Sequence, residues 1–481
     1  MSSMLLVAPS LALCNLQNPK LPKSLSKTPP PPLSLKPQTT LQTLSHHLII
    51  SGPSHLSGHV RISGSKNSAL PVLAAALCCS EGGPSILRGI PDLSDVTTMI
   101  SILRSLGAQI EVEDGGVVVV DAEGIGSVEP CSDSVGRIRA GFFVVGPLVG
   151  RFGEAVVALP GGCEIGSRPI DLYVRGLRAL SAVVEVRHGK LHVYAANGKG
   201  LIGGRFHFDY PSVGATETLM MAASVANGVT VLTNAAQEPE VTDLARFLVA
   251  SGASIEGAGT STVIISGRKK LHGTEFTIIP DRIEAGTFMV AAAITRSCIS
   301  MSPVIPHHLT CVINKLSSSG CKITQRGSHL LEVSAISAAG SNLEAFDFKT
   351  CPYPGFPTDL QPQFMALLAT CNGAGIVEES VFEGRMRHVG ELQKLGAKIE
   401  TFGNSAVAWG NGQSALSGSH VVATDLRAGA SLVLAGMAAQ GTTEIAGAPH
   451  IDRGYEKLEV KLHLLGANIR REQQALSKAF K

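Results

Sequence analysis

At 481 residues the chain is too long for one comfortable core, and 44% hydrophobic with 16% charged residues is the composition of an ordinary globular protein, for which two domains are the first expectation. Aromatic residues make up only 4%, and 40 Lys and Arg stand against 38 Asp and Glu, so there is neither a basic footprint nor a supply of stacking rings for a nucleic-acid partner. Ten cysteines show no CxxC pair and no regular spacing, which argues against a metal site or a disulfide framework; most, such as Cys78 and Cys79, read as small buried hydrophobes.

Residues 1–46 hold four lysines, no arginine, seven serines and eight prolines, and the first acidic residue of the chain is Glu81. Such a segment cannot build a core. A Ser-rich, acid-free leader reads as an organelle-targeting peptide, and the missing arginines favour a chloroplast over a mitochondrion. Residues 1–46 are therefore expected to be a disordered transit peptide and the plastid stroma the destination. The run Leu5–Leu16 is interrupted by Pro9 and Ser10, and no apolar stretch reaches the ~20 residues that spanning needs, so a soluble protein without a membrane contact is expected. Without the four leader lysines, 36 basic residues face 38 acidic ones.

From residue 47 onward a short signature recurs: SLGAQIEV at 105–112, LSAVVEV at 180–186, SGASIE at 251–256, SGCKI at 319–323, LGAKIE at 395–400 and LGANI at 465–469. Its central residues are 107, 181, 252, 320, 396 and 466, a period near 72. Each copy reads as a joint in which an apolar helix ends, a glycine or small residue turns the chain, and a β-branched strand begins. Between joints lie Ala- and Leu-rich stretches almost without charge, at 68–77, 140–149, 215–226, 285–295, 360–369 and 428–439. Helices apolar all round are interior helices. A more polar helix per unit, such as 95–106 or 241–251, is expected outside against strands. Six units divide between the third and fourth, near Ile279–Pro280, giving two α/β halves with a cleft; a solenoid without a cleft is disfavoured because ~72 residues is long for such repeats.

Four clusters break the repeat. SGSKN at 63–67 puts Lys66 and Asn67 at the start of a buried helix, a poor place for a cation unless an anion sits there too. LPGGCEIGSRPIDL at 159–172 carries Cys163 among glycines, with Arg168 nearby; adjacent positive charge favours thiolate character, while a thiol acting as general acid must arrive protonated. CPYPGFPTD at 351–359 stiffens the approach to Asp359 with three prolines, so this carboxylate is either a helix cap or a positioned base. The last third adds Arg385, Asp425, Arg427 and Arg453. Together with Arg139 and Arg168, these guanidinium forks suit a small polyanion between the halves.

With SGSKNSALP, LPGGCEIGSRPIDL, DYPSVGATE, DRIEAGTF, FPTDLQPQF, ATDLRAGASLVLAG and HIDRGYE in this order, the chain resembles the UDP-N-acetylglucosamine 1-carboxyvinyltransferases from about His47 to Arg471. The resemblance implies two inside-out α/β domains of three βαβαββ-type units each, 66–279 and 47–65 plus 280–481, with the active site in the interdomain cleft. It implies transfer of an enolpyruvyl group from phosphoenolpyruvate to the 3′-hydroxyl of UDP-N-acetylglucosamine, the first committed step of peptidoglycan synthesis, without metal or organic cofactor; a monomer is expected. By resemblance Lys66, Asn67, Arg139, Arg168 and Arg453 face phosphoenolpyruvate, Cys163 is the loop acid and the target of fosfomycin, and Asp359 is the base. Ser212, Val213 and Gly214, with Pro169, Ile170, Asp171 and Leu172, would line the nucleotide, and Val381, Arg385, Asp425 and Arg427 would complete closure. Tyr173 stands where histidine often follows the RPxDL motif, Gly384 and Met386 flank Arg385 in place of other residues, and Ser181 replaces the joint glycine.

Three alternatives stay open at the level of sequence. A transferase acting on shikimate 3-phosphate shares the fold but has no need of the GGC loop. An RNA 3′-phosphate cyclase would need a nucleotidylated histidine and a nucleic-acid surface. An inactive scaffold would be expected to have lost Cys163, Asp359 or an arginine.

Overall fold

The computed structural model describes residues 44–161, 165, 166, 169–196, 198, 200–336, 343–412 and 415–475. Burial separates the apolar side chains into two cores. One is built from residues between Ala69 and Ile278, the other from Leu48–Ile62 together with residues from Ile283 to Ile469.

The six interior helices form because most of their residues are small and apolar on every face, with the few charges, such as Lys66, Arg282, Glu284 and Arg427, mostly in the first turns. Lys66–Ala75, Val145–Phe152 and Val213–Ser224 lie in the first core; Arg282–Ile294, Gln361–Leu368 and Leu426–Ala438 lie in the second and pack on one another. Side chains such as Phe288, Phe364 and Leu432 are completely buried, each contributing about 1.5–3 kcal/mol over an exposed position. The stretch expected as a helix over 140–149 is instead a 3₁₀ segment, Arg139–Val144, that runs into the α-helix.

At all six joints the backbone turns left-handed: φ is 103° at Gly107, 64° at Ser181, 98° at Gly252, 110° at Gly320, 92° at Gly396 and 106° at Gly466. At the five glycine joints the amide of the next residue returns to the carbonyl five positions back, as in Ala108 N to Leu103 O (3.2 Å) and Ala467 N to Leu462 O (3.0 Å). This closes the helix end and aims the following strand. Ser181 adopts the same conformation with a Cβ, which explains why the signature tolerates it at a cost.

Five four-stranded sheets share one plan, a parallel pair followed by two antiparallel pairings. In one of them Arg205–His207 pairs with Val229–Thr233, then Thr262–Ser266, then Ser254–Glu256. Among the described residues a sixth sheet, Glu154–Ala158, Lys190–Ala195 and Ala182–Arg187, has the two antiparallel pairings alone, and Cys79–Glu81 with Leu271–His272 makes a two-stranded parallel one. Strand Leu44–Gly52 lies between Gly441–Ala446 and Ile469–Ala475.

Two expectations need correction. Leu44–His46, placed in the leader by composition, belong to that first strand, where their backbone pairs with Gln473–Ala475. The helix expected outside at 241–251 runs Pro239–Ala250 and buries eight of its twelve residues between Lys66–Ala75 and Val213–Ser224. Its acids misled the reading: Glu240 and Asp243 point inward, where Arg282 and Ser68 satisfy them.

The chain passes between the cores at two adjacent segments joined by a bridge between Gly64 and Pro280. Ser65 N donates to Ile279 O (2.8 Å) and Asp281 N to Ser63 O (2.9 Å). A Cβ at Gly64 would lie 1.7 Å from the Gly89 carbonyl oxygen, so only glycine permits this crossing. Among the described residues no helix is long and apolar enough to cross a membrane, and no group of three or more His, Cys, Asp or Glu side chains could hold a metal ion.

Candidate active site

The crossing delivers Lys66 to the head of its helix, where Ser65 caps the first turn. The anion that the sequence demanded beside this ammonium is a carboxylate of the chain: Lys66 Nζ lies 2.6 Å from Asp95 Oδ2. Arg453, from the second core, reaches the same group, with Nε 2.9 Å from Oδ1 and Nη2 3.4 Å from Oδ2. Burial lowers the Lys66 pKa; Asp95 opposes this, while Arg427 and Arg453 add to it. Burial would raise the Asp95 pKa, but Lys66 and then Arg453 bring it below the ordinary carboxylate value. Asn67 follows on the same turn, half-buried.

Asp359 is not a helix cap. It sits in the 3₁₀ turn Thr358–Leu360 that precedes helix Gln361–Leu368, and neither element has a side-chain cap. Its oxygens instead receive Arg385 Nη2 (2.7 Å) and Arg427 Nη2 (2.9 Å). Burial pushes this carboxyl up, but Arg427 and then Arg385 override it and hold it far below the usual carboxylate range. Arg385 is steadied by Thr358 Oγ1 and the Phe382 ring, and Thr358 in turn donates to Glu379, which also accepts the amides of Val381 and Phe382. Asp425 is the residue that caps: its Oδ1 accepts the amides of Arg427 and Ala428, with Arg385 Nη1 at 3.9 Å.

Asp281 ties the two clusters together. Its Oδ1 caps helix Arg282–Ile294 through Ile283 N and Glu284 N, and its Oδ2 accepts the amide of Lys66 at 3.1 Å. One carboxylate thus serves the N-termini of interior helices from both cores.

Farther along the first core, Arg139 Nη2 donates to the Pro169 carbonyl (3.3 Å), and Ile170 precedes helix Asp171–Ala179, which carries Asp171 and Leu172 in its first turn. Ser212 caps helix Val213–Ser224 by accepting Ala215 N at 3.4 Å. Tyr173 packs edge-on against Phe142, and its hydroxyl would lie 2.2 Å from a Cβ at Gly214, so the departure at 173 and the glycine at 214 fit each other. Cys163 and Arg168 lie outside the described residues. Between them, Ile165 O accepts Gly384 N at 2.9 Å, which joins the glycine-rich loop to the segment carrying Arg385.

Sequence reasoning missed Asp95, because an acid in a helix first turn ordinarily reads as a partner of the helix dipole. It also missed Gln363 and Tyr455, whose polar ends are legible only once the three helices of the second core are packed together.

Residues 50–462 match the family model described as EPSP synthase (3-phosphoshikimate 1-carboxyvinyltransferase). The UDP-N-acetylglucosamine 1-carboxyvinyltransferase of Gloeobacter violaceus is 50% identical over 425 residues, covering 88% of this chain and 90% of that protein. Its counterpart from Nostoc sp. is 49% identical over 428 residues, covering 89% and 94%. The chain belongs to the UDP-N-acetylglucosamine 1-carboxyvinyltransferase family. The crystal structure of the enolpyruvyl transferase NikO from Streptomyces tendae is similar to it with a TM-score of 0.80 and 28% identity, over 90% of this chain and 100% of that one. An EPSP synthase from Acinetobacter baumannii has a TM-score of 0.69 at 18% identity over 89% of this chain and 100% of that one, a likeness of fold alone. In this member of the UDP-N-acetylglucosamine 1-carboxyvinyltransferase family, then, the α/β fold of enolpyruvyl transferases carries the Lys66 and Asp359 clusters described above.

Proposed function

We propose that the chain transfers the enolpyruvyl group of phosphoenolpyruvate to the 3′-hydroxyl of UDP-N-acetylglucosamine and releases phosphate, the first committed step of peptidoglycan precursor synthesis. Asp359 accepts the proton of the sugar hydroxyl as its oxygen bonds to C2 of the enol, and Cys163 supplies the proton to C3. A tetrahedral, phosphate-bearing intermediate forms; loss of phosphate and of a C3 proton regenerates the enol ether. Lys66, Asn67, Arg139, Arg168 and Arg453 hold the carboxylate and phosphate of phosphoenolpyruvate, and guanidiniums that tighten on the intermediate lower its barrier.

Ser212, Val213 and Gly214 take the uridine side with Pro169, Ile170, Asp171 and Leu172, while Val381, Arg385, Asp425 and Arg427 close over the sugar. The observation that carries the reading is the Asp359 carboxylate between Arg385 and Arg427, in a chain half identical to relatives named for this reaction. A carboxylate ionised at every working pH always accepts the hydroxyl hydrogen bond, and the proton moves as the attacking oxygen becomes acidic.

The two cores, each with three interior helices and three sheets of three or four strands, support domains at 66–279 and at 47–65 with 280–481, each of three βαβαββ-type units around the cleft. The composition of the first residues supports delivery to the chloroplast stroma. The deciding assay is phosphate release from phosphoenolpyruvate by residues 44–481, given UDP-N-acetylglucosamine or shikimate 3-phosphate. Release with the nucleotide sugar alone is expected; release with shikimate 3-phosphate alone, or with neither, overturns the reading.

A further inference from the structure

The turn that sends Arg453 across to Asp95 sends Tyr455 the other way. Tyr455 is 1% exposed, buried among the three interior helices of the second core. Its hydroxyl lies 2.9 Å from Thr287 Oγ1 and 2.9 Å from Gln363 Nε2. Thr287 gives its own proton to Ile283 O (2.8 Å), so the phenol donates to Thr287 and accepts from the Gln363 amide. Burial raises the phenol pKa, which keeps that proton in place.

Two routes lead from this side chain to Asp359. Gln363 Nε2 also donates to the Asp359 main-chain oxygen at 3.1 Å. The Tyr455 ring lies 5.3 Å from the Arg427 guanidinium carbon, within cation–π range, and Arg427 Nη2 donates to the Asp359 carboxylate. The remaining Arg427 nitrogens, Nε and Nη1, are buried without hydrogen-bond partners. The guanidinium is therefore held by Tyr455 on one side and the Asp359 carboxylate on the other, with the Asp281 charge also bearing on it.

We propose that Tyr455 is a positioning residue for the transfer reaction, fixing Asp359 from behind through Gln363 at its backbone and Arg427 at its carboxylate. The inference rests on the reading of Asp359 as the base. The charged groups facing Asp359 are Arg427, Arg385 and Arg282; Asp281 bears on Arg427, and Asp425 faces Arg385. Tyr455→Phe keeps the ring and removes the hydroxyl route; Tyr455→Leu removes both.

The test measures kcat and KM for phosphate release by the full chain, with melting temperature as a companion. Expected for Tyr455→Phe is a fall in kcat of roughly tenfold, with KM for phosphoenolpyruvate unchanged. In Tyr455→Leu, loosening of Arg427 should deepen the loss of kcat beyond that of Tyr455→Phe, again with KM for phosphoenolpyruvate unchanged, because the carboxylate loses its second positioning contact. If Tyr455→Leu does not fold, Gln363→Met severs the backbone route with the phenol in place and should reproduce the selective kcat loss. Wild-type kcat in Tyr455→Phe and Gln363→Met, or losses that track melting temperature and raise KM as much as they lower kcat, would overturn the proposal. Failure of the parent reading is separate: it shows as full activity in Asp359→Asn.

Discussion

Arg453 and Asp95 come from opposite cores and meet with Nε 2.9 Å from Oδ1, while Lys66 holds the other oxygen of the same carboxylate. Asp95 thus neutralises two cations that are proposed above to hold the anionic substrate. Removing one partner of a buried charge cluster leaves the others uncompensated, at a cost of about 3–5 kcal/mol. Asp95→Asn is expected to lower the melting temperature markedly. Phosphoenolpyruvate or inorganic phosphate should restore more of it than either adds to the wild type, because the ligand replaces the missing charge. Thermal shift titrations of both proteins check this, and equal ligand shifts would contradict it.

Asp359 and Asp95 both have carboxyl pKa values lowered by their cations. A depressed folded value means that the stabilisation is present above the unfolded value near ~3.9 and is lost as pH falls through the folded one. Asp359→Asn should therefore be less stable than wild type at neutral pH, with the difference shrinking below about pH 4. Its kcat should drop by roughly 10²–10⁴, the range for loss of a positioned base. Melting curves at neutral and acid pH and initial rates at saturating substrates measure the two effects.

How much of this was legible in sequence depends on whether one local conformation or a distant partner sets the residue. The joints at Gly107, Gly252, Gly320, Gly396 and Gly466 could be read because a left-handed turn selects glycine whatever surrounds it. The interior helices could be read because stretches such as 285–295 and 428–439 carry no charge on any face. Asp359 could not be assigned, since a cap and a base look alike until Arg385 and Arg427 arrive from 26 and 68 residues away. Asp95 was invisible for a similar reason: its partner Arg453 is 358 residues distant. The acids of helix Pro239–Ala250 were misread as an outer face because Arg282, which pairs with Glu240, lies in the other core's first helix.

Glu284 ties the crossing to the second core, with Oε2 accepting Ser63 N and Oε1 accepting Lys461 Nζ, both at 2.6 Å. Burial raises its pKa to about 7 against the pull of Lys461. A raised carboxyl contributes stability that is full below its unfolded value near ~4.3 and is lost as pH rises through the folded value. Wild-type stability should decline across this interval, and Glu284→Gln, which cannot ionise, should gain on the wild type as pH rises from 5 to 8. The difference in melting temperature between the two proteins, followed through that window, reports the sign directly; a difference independent of pH would exclude titration of Glu284 there.

Gly384 meets the glycine-rich loop at its backbone, donating to Ile165 O at 2.9 Å. A Cβ there would lie 2.8 Å from the Ile165 carbonyl carbon and 2.9 Å from Gly166 N, and main chain cannot swing aside as a flexible side chain would. Gly384 is half-buried in a surface segment, so the substitution removes little packing from the core. Gly384→Ala is therefore expected to leave the melting temperature nearly unchanged while lowering kcat, because the loop that carries Cys163 no longer seats against the Arg385 segment. Alkylation of Cys163 by fosfomycin, followed by mass spectrometry in the presence of UDP-N-acetylglucosamine, should slow in parallel. Wild-type labelling with reduced turnover would place the defect in the Arg385 segment instead of in the seating of the loop.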